Sequence, residues 1–196
     1  MKILDKSTLR QTLRDKRRAV DSETRTRDAE HAAEYLEKSA LFQASAHIAC
    51  YFSTKEEFDS NAIIQLIFKH NKKCYLPALH STEKKLLFAR YQPNDPLEEN
   101  RYRISQPLPH AETISAEELN LVFLPLVSFD LQGHRLGMGA GFYDRTFAFK
   151  KSPRTSCHLM GLAYSFQETE SLPYDEWDIK LDSVLTEKGI TLFHSL

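Results

Sequence analysis

A run of apolar residues leading into a cluster of glycines is the feature of this sequence that most restricts its fold. Residues 121–127 are almost continuously apolar, as in a strand buried on both faces of a sheet. Four of the six glycines then fall between positions 133 and 141, and a short helical pattern begins at Phe142. This order predicts a strand, a glycine-rich loop and a helix, an arrangement typical of α/β proteins.

The glycine loop has two interpretations when only its own residues are considered. Glycine lets a ligand approach the backbone, and the start of a helix offers unpaired N–H groups, so the loop suits a phosphate group. Alternatively, the loop only turns tightly. The G-x-G-x-G spacing at Gly137, Gly139 and Gly141 matches neither the dinucleotide fingerprint nor a phosphate loop ending in GK[ST]. Both interpretations therefore stay open at this point.

Helical and extended patterns alternate along the rest of the chain. The alternation predicts a three-layer α/β/α fold with a mostly parallel, mixed sheet. We expect one domain over residues 1–196, with the N-terminal helices, residues 1–40, packing on the α/β core. Helices are predicted over 5–20, 21–38 and 61–70, and strands over 47–52, 73–79, 86–91, 121–127, 158–164, 184–186 and 190–193.

Composition excludes several classes of protein. The net charge of −1 argues against a dedicated nucleic-acid binder, and no apolar run is long enough for a membrane span. Cys50, Cys74 and Cys157 form no CxxC pair, so we expect reduced thiols rather than disulfides or a zinc site. These features predict a cytoplasmic protein without a nucleic-acid or membrane partner.

The first predicted helix carries a basic stripe. Lys6, Arg10, Arg14 and Arg17 recur at helical spacing and lie beside the apolar seam that includes Leu9 and Leu13. A stripe in that position either faces solvent or points along the surface into a neighbouring cleft. The pattern alone does not decide between a solvated face and a binding role.

Acidic residues follow or approach several predicted strands. In open α/β sheets, ligands bind beyond the carboxyl ends of the strands. We expect Glu57, Asp144, Asp178 and Asp182 to lie near that edge together with the glycines and Arg135. Phosphates bind N–H groups and cations, and Mg²⁺ binds one or two carboxylates with phosphates and water. This set of groups suits a nucleoside triphosphate with Mg²⁺.

The segment LPLVSFDLQGHRLGMGAGFYDR, residues 124–145, resembles the signature of the 5-formyltetrahydrofolate cyclo-ligase family. That signature runs roughly as P-x-x-x-F-D-x-x-G-x-R-L-G-x-G-x-G-[YF]-Y-D. The resemblance extends along the chain to KSTLR at 6–10, YFSTKEEFDS at 51–60, YLPAL at 75–79, RISQP at 103–107 and DEWDIKLDSVLTE at 175–187.

The resemblance implies an enzyme that uses ATP and Mg²⁺. Members of this family convert 5-formyltetrahydrofolate to 5,10-methenyltetrahydrofolate, with release of ADP and phosphate. The implied mechanism phosphorylates the formyl oxygen, and nitrogen 10 then attacks the activated carbon. No protein nucleophile is needed, and the implied enzyme is expected to act as a monomer on a small-molecule substrate.

The resemblance also implies a role for individual residues. Arg135 and Asp144 are implied to be catalytic. Phe52, Glu57, Tyr102 and Phe142 are implied to bind the folate, with Glu57 accepting from the pterin. Asp144 and Asp182 are implied to bind Mg²⁺. The implied ATP-binding residues are Lys6, Arg10, Arg135, Gly137, Met138, Gly139, Ala140, Gly141, Phe142 and Tyr143.

One departure from the family pattern affects the loop. Some members carry Arg or Lys where this chain has Met138 and Ala140. The cations that meet the phosphates must then be Lys6, Arg10 and Arg135, together with backbone N–H groups. Two other functions remain as alternatives: a different ATP-dependent ligase or kinase, and a folate- or nucleotide-binding module without activity. Structural alternatives also remain for three single residues: Glu57 could be a solvated loop acid, Tyr102 a packing residue and Asp182 a turn cap.

Overall fold

The computed structural model describes residues 5–152 and 155–193. Its helices are α1 (Lys6–Arg18), α2 (Ser22–Glu37), α3 (Ala40–Ala44), α4 (Asn61–Lys69) and α5 (Phe142–Thr146), with 3₁₀ turns at Ala116–Glu118, Ala148–Lys151 and Ser165–Gln167. Its strands are β1 (His47–Ala49), β2 (Lys73–Leu79), β3 (Leu86–Tyr91), β4 (Leu97–Glu99), β5 (Ser105–Pro107), β6 (Thr113–Ile114), β7 (Leu121–Pro125), β8 (Ser128–Phe129), β9 (Arg135–Leu136), β10 (His158–Leu162), β11 (Ser183–Thr186) and β12 (Gly189–Leu192).

Eight of these strands form the main sheet, in the order β12-β11-β10-β7-β1-β2-β3-β6. The five central strands, from β11 to β2, are parallel. Antiparallel strands flank them on both sides. The predicted mixed, mostly parallel sheet is therefore confirmed, and the carboxyl ends of the five parallel strands meet at one edge.

Helices cover the two faces of the sheet unequally. On one face, Ala29 and Leu36 of α2 and Ile63 and Ile67 of α4 pack on the sheet as part of one buried cluster. On the other face, the buried cluster includes Phe147, between α5 and the following 3₁₀ turn. The α/β fold class is as predicted, although short turns and loops make up much of the second covering layer.

Helix α1 lies at the carboxyl edge of the sheet. The Asp5 carboxylate caps it by accepting from the Ser7 and Thr8 N–H groups, at 2.7 and 3.2 Å. Its apolar residues Leu9 and Leu13 are buried in a cluster with Val127, Leu136 and Leu172. This packing places the basic side chains of α1 beside the loops that follow the strands.

Several elements are shorter than predicted. The strand expected over 47–52 ends at Ala49, and the helix expected after the glycines spans only Phe142–Thr146. Between the predicted strands, the chain forms the short antiparallel pairs β4-β5 and β8-β9. No helix in the part of the chain that the structure describes is long and apolar enough to cross a membrane. That residues 1–196 form a single domain stays a prediction.

Candidate ligand-binding site

A cavity of about 710 Å³ opens at the carboxyl edge of the parallel strands. Its wall is built by α1, the loop after β1, the segment around Tyr102, the glycine loop with α5, and the turn before β11. These elements are far apart in sequence, and the parallel sheet brings them together because its strands end side by side. The predicted site residues on the wall are Lys6, Arg10, Phe52, Glu57, Tyr102, Arg135, Gly137, Met138, Gly139, Ala140, Gly141, Phe142, Tyr143 and Asp144.

The backbone of the glycine loop requires glycine at two positions. Gly139 has φ +98°, and Gly141 has φ +67° at the start of α5. A Cβ atom at Gly141 would lie 2.8 Å from Nη1 of Arg145, so a larger residue would be both strained and crowded. The loop therefore presents its backbone at the cavity wall, with the exposed side chain of Met138 beside it.

Arg10 connects α1 to the glycine loop. Its Nε–H donates to the Gly137 carbonyl at 2.8 Å. Its guanidinium also lies next to Gly139, where a Cβ atom would be 3.7 Å from Nη2. One cation from the first helix is thus held against the loop, which supports a binding role for the basic stripe rather than a purely solvated face.

Arg135 and Asp144 form an ion pair inside the cavity wall. Nη2 of Arg135 lies 2.7 Å from Oδ1 of Asp144, and their side chains are only 6% and 17% exposed. The same Oδ1 accepts the Ile179 N–H at 3.1 Å. No described residue donates a hydrogen bond to Oδ2 of Asp144, so one oxygen of this carboxylate is left for a ligand.

Lys6 reaches two carboxylates across the cavity mouth. Its Nζ lies 2.8 Å from Asp175 Oδ2 and 4.0 Å from Asp178 Oδ2. The Asp178 carboxylate also accepts the Asp175 N–H at 2.9 Å, which fixes this turn. Arg14 is the member of the basic stripe that does not line the cavity, and it instead contacts Glu56 at 3.0 Å.

The residues assigned to folate lie on the same wall. The rings of Tyr102 and Phe142 pack edge to face, with centroids 5.9 Å apart, and Tyr102 is half exposed. Glu57 Oε2 accepts the Thr54 N–H at 2.8 Å, and no described residue donates to Oε1. Arg25 of α2 holds this loop by donating to the Glu57 carbonyl at 2.9 Å.

Asp182 is not brought to the cavity, and the ligand assignment is corrected here. Its carboxylate accepts from Lys150 Nζ at 2.9 Å and from the Leu159 N–H at 2.7 Å. Asp182 directly precedes β11, so it lies at the amino edge of the sheet, whereas the cavity is at the carboxyl edge. The sequence had placed the acidic residues before the strand predicted over 184–186 at the carboxyl edge of the sheet. For Asp182 that expectation was wrong.

Several cavity residues were not assigned from the sequence. They include the buried Arg17 and Tyr51, and the turn residues Asp175, Trp177 and Asp178. Arg17 belonged to the basic stripe, and Asp178 stood among the acidic residues near predicted strands, so both had a partial signal. Tyr51 and Trp177 had none, because only the tertiary structure places a hydrophobic ring at a cavity rather than in the core.

Buried polar atoms on the cavity wall lack partners within the described residues. They are Nε of Arg17, the hydroxyl of Tyr51 and Nε of Arg135. Burial raises the pKa of Tyr51, and that of Tyr143 beside it, so both phenols stay protonated at neutral pH. Since buried polar groups are nearly always hydrogen-bonded, these atoms indicate a ligand with polar groups of its own.

The residues present fit a magnesium ion carried by phosphates. Within residues 5–152 and 155–193, no three His, Cys, Asp or Glu side chains are grouped as a preformed metal site. Mg²⁺ does not require one, because it commonly takes one or two carboxylates and completes its shell with phosphate oxygens and water. Asp144, with its free Oδ2, and Asp178 supply such carboxylates on the cavity wall.

Together, the fold and the cavity define a class of protein: an α/β protein with a large cavity at the carboxyl edge of a parallel sheet, where proteins of this architecture bind their ligands. The comparisons with known proteins name the family. The model of the 5-formyltetrahydrofolate cyclo-ligase family matches residues 2–187. The chain therefore belongs to this family of enzymes, which confirms the resemblance found in the sequence and the enzyme class that it implied.

Individual relatives match over most of their length. The 5-formyltetrahydrofolate cyclo-ligase of Haemophilus influenzae is 40% identical over 158 residues, which cover 80% of this chain and 81% of that protein. The Escherichia coli K12 protein of the same name is 35% identical over 91% of this chain and 98% of its own. The solved structure of Aquifex aeolicus 5,10-methenyltetrahydrofolate synthetase is 31% identical, with a TM-score of 0.82 over 97% of this chain and 94% of that chain.

Proposed function

We propose that this protein converts 5-formyltetrahydrofolate and ATP to 5,10-methenyltetrahydrofolate, ADP and phosphate, with Mg²⁺. The observation that carries the proposal is that one cavity holds the glycine loop, the cations Lys6, Arg10 and Arg135, and the Glu57–Tyr102–Phe142 group. Phosphate groups and a flat, polar heterocycle can therefore bind side by side. The names of the relatives support the same substrate and product.

The proposed reaction has two steps. First, the formyl oxygen attacks the γ-phosphorus of ATP, the bond to the ADP oxygen breaks, and the formyl carbon becomes an electrophilic phosphate ester. Nitrogen 10 then attacks that carbon and loses its proton, and phosphate takes up a proton and leaves with the electron pair of the C–O bond as the methenyl bridge forms. Catalysis of this kind depends on positioning and on neutralising charge rather than on a protein nucleophile.

Each group of the chain has a part in this reaction. The backbone of residues 137–143, together with Lys6, Arg10 and Arg135, holds the ATP phosphates. Glu57 accepts from the pterin donors, and Phe52, Tyr102 and Phe142 contact its ring system. Arg135 lies between the glycine loop and Asp144, at a position to neutralise charge on the transferred phosphoryl group.

Asp144 and Asp178 would hold the metal, which supplies positive charge to the phosphate oxygens. Asp178 takes the place that the sequence had given to Asp182. Lys6 lies 4.0 Å from Asp178, so the ammonium group neutralises this turn when no metal is present. The metal and the ammonium group would then share the charge of the phosphates with Arg10 and Arg135.

Substitution of the two candidate carboxylates tests the metal site. We expect Asp144→Asn to reduce turnover by about 100-fold or more, because it removes charge at the phosphates, while 5-formyltetrahydrofolate still binds. Asp178→Asn is expected to lower turnover and to raise the Mg²⁺ concentration required for half-maximal rate. Formation of the methenyl product is followed by near-ultraviolet absorbance.

Asp182→Asn is the matched control, because it removes a carboxylate that the cavity does not contain. We expect it to retain turnover and the same Mg²⁺ requirement. If Asp144→Asn turned over at the same rate as the wild-type protein, this result would contradict the metal-binding role of Asp144. If wild-type protein with Mg-ATP formed no methenyl product, the proposed function itself would be contradicted, and a binding module without activity would be the alternative.

A cytoplasmic location, a monomeric state and the absence of nucleic-acid or membrane partners stay predictions.

A further inference from the structure

Arg17 and Tyr51 are buried cavity residues that the proposed mechanism leaves without a role. They are only 3% and 5% exposed, and both line the cavity. Arg17 Nη1 donates to the Leu126 carbonyl at 3.0 Å, whereas its Nε–H has no partner among the described residues. The Tyr51 hydroxyl also has none. Leaving such groups unsatisfied destabilises a protein by about 1–3 kcal/mol each, and polar groups of a ligand in the cavity would remove this cost.

The two side chains come from different elements to the same end of the sheet. Strands β1 and β7 are parallel neighbours that end at Ala49 and Pro125, so Tyr51 and Leu126 lie just beyond adjacent strand ends. Ser60 Oγ fixes the backbone of Tyr51 by donating to its carbonyl at 2.5 Å. The Leu126 carbonyl fixes the guanidinium of Arg17. The guanidinium of Arg17 is therefore oriented before any ligand binds, and Tyr51 is held by its backbone and by its burial.

Glu57 belongs to the same part of the cavity and has the opposite hydrogen-bonding character. It lies in the loop that follows Tyr51 and also lines the cavity. Burial lowers the pKa of Arg17, and the charge of Glu57 opposes this effect. Arginine offers only donors and an ionised glutamate only acceptors. This corner of the cavity therefore presents an acceptor beside two donors.

The edge of a pterin ring has the complementary pattern. Its 2-amino group and N3–H are donors, and the neighbouring 4-oxo group is an acceptor. We propose that Arg17 and Tyr51 donate to the 4-oxo group while Glu57 accepts from the 2-amino group and N3–H. These residues then determine specificity for 4-oxo over 4-amino pterins, an inference that rests on the proposed folate substrate. A site built to donate to an oxygen disfavours an amino group, because donor would meet donor.

A pair of ligands that differ in the 4-substituent, and with it in the N3–H, tests this inference. They are 5-formyltetrahydrofolate and its 4-amino analogue, 5-formyltetrahydroaminopterin, and binding of each is measured by calorimetry without ATP. We expect the wild-type protein to bind the 4-oxo compound at least about tenfold more tightly. In Arg17→Met, which removes the donors but keeps a long side chain, this ratio should fall to about threefold or less.

Tyr51→Phe is the second variant and removes only the hydroxyl, so it tests the inference even where Arg17→Met fails to fold. We expect the ratio to fall in this variant as well, while the affinity for Mg-ATP stays within about twofold of wild type. Arg18→Met is the matched control. Arg18 is the neighbouring arginine on α1 and pairs with Glu56 outside the cavity. The ratio of the two affinities in Arg18→Met should therefore equal that of the wild-type protein.

The possible results separate the two proposals. A wild-type ratio near one, or variants that weaken both ligands equally, would overturn the role given to Arg17 and Tyr51 and leave the proposed function standing. Variants that lower the affinity for Mg-ATP but keep the ratio of the two folate affinities would also overturn this role, since Arg17 and Tyr51 would then bind phosphate. If wild-type protein binds neither folate compound, both the inference and the proposed substrate fail.

Discussion

At the scale of single residues, buried polar groups fall into two kinds. Asp130 is completely buried, yet its carboxylate accepts N–H groups from Gln132, His134 and Leu172, at 3.0 Å each. It also contacts Nδ1 of His134 at 2.9 Å. Such a fully partnered group holds two loops together. Arg17, by contrast, lines the cavity with an Nε–H that has no partner among the described residues, as expected of a group that meets a ligand.

Asp130→Asn tests the first kind. An asparagine places an NH₂ group where N–H donors now converge, so we expect the free energy of unfolding to fall by about 3 kcal/mol. Turnover per folded molecule should change little. Chemical denaturation measures the loss. Asp95→Asn, at an exposed aspartate that accepts one backbone N–H at 2.8 Å, is the control and should cost less than about 1 kcal/mol. Equal losses would contradict the structural role of Asp130.

At the scale of elements, helix α1 decides which end of the chain joins the site. Its periodicity and its Asp5 cap are local features, so the sequence predicted the helix well. Its docking was not predictable, because it depends on Leu9 and Leu13 meeting residues more than a hundred positions away. The short strands β4 and β6 were missed for a related reason: two or three residues carry too little periodicity to identify a strand.

Glu56 ties the end of α1 to the loop after β1 and makes that attachment depend on pH. It lies 3.0 Å from Arg14 and 2.6 Å from Arg18. The hydrogen bond from Arg18, followed by that from Arg14, lowers the pKa of Glu56. Because the folded pKa is below the unfolded value of about 4.3, the stabilisation is complete above that pH. It is lost as the pH falls through the folded pKa.

We therefore expect wild-type protein to be more stable than Glu56→Gln by up to about 1 kcal/mol at pH 7, and this difference to disappear as the pH falls below the folded pKa of Glu56. Thermal unfolding of both proteins across that range measures the difference. Glu83→Gln serves as a control, since Glu83 only pairs with Lys85 at 3.3 Å on the surface. A difference between wild type and Glu56→Gln that does not change with pH would show that the ion pairs contribute nothing.

At the scale of the whole molecule, the sheet both builds the cavity and buries the thiols. Cys50, Cys74 and Cys157 are free and buried. Burial raises the pKa of Cys74 and of Cys157 to about 12, and that of Cys50 well above its usual value. The thiolate is the reactive form, so these cysteines are protected by both burial and protonation.

Thiol labelling consequently reports global unfolding. We expect native protein at pH 8 to react with a thiol reagent many times more slowly than it does in denaturant, where all three cysteines should react. Ser81→Cys places a thiol at an exposed turn and is the positive control, with one rapidly labelled group in the native state. Rapid labelling of a native wild-type cysteine would contradict the burial of the thiols.

The sequence by itself determined the α/β class, the glycine loop, helices α1 and α2, and the family. These depend on local periodicity or on a long motif, which a single stretch of chain contains. Only the tertiary structure decided that Asp178 rather than Asp182 lines the cavity, and that Arg17 enters it. Which edge of a sheet a residue reaches depends on strand direction and register, and these arise from pairing between segments distant in sequence.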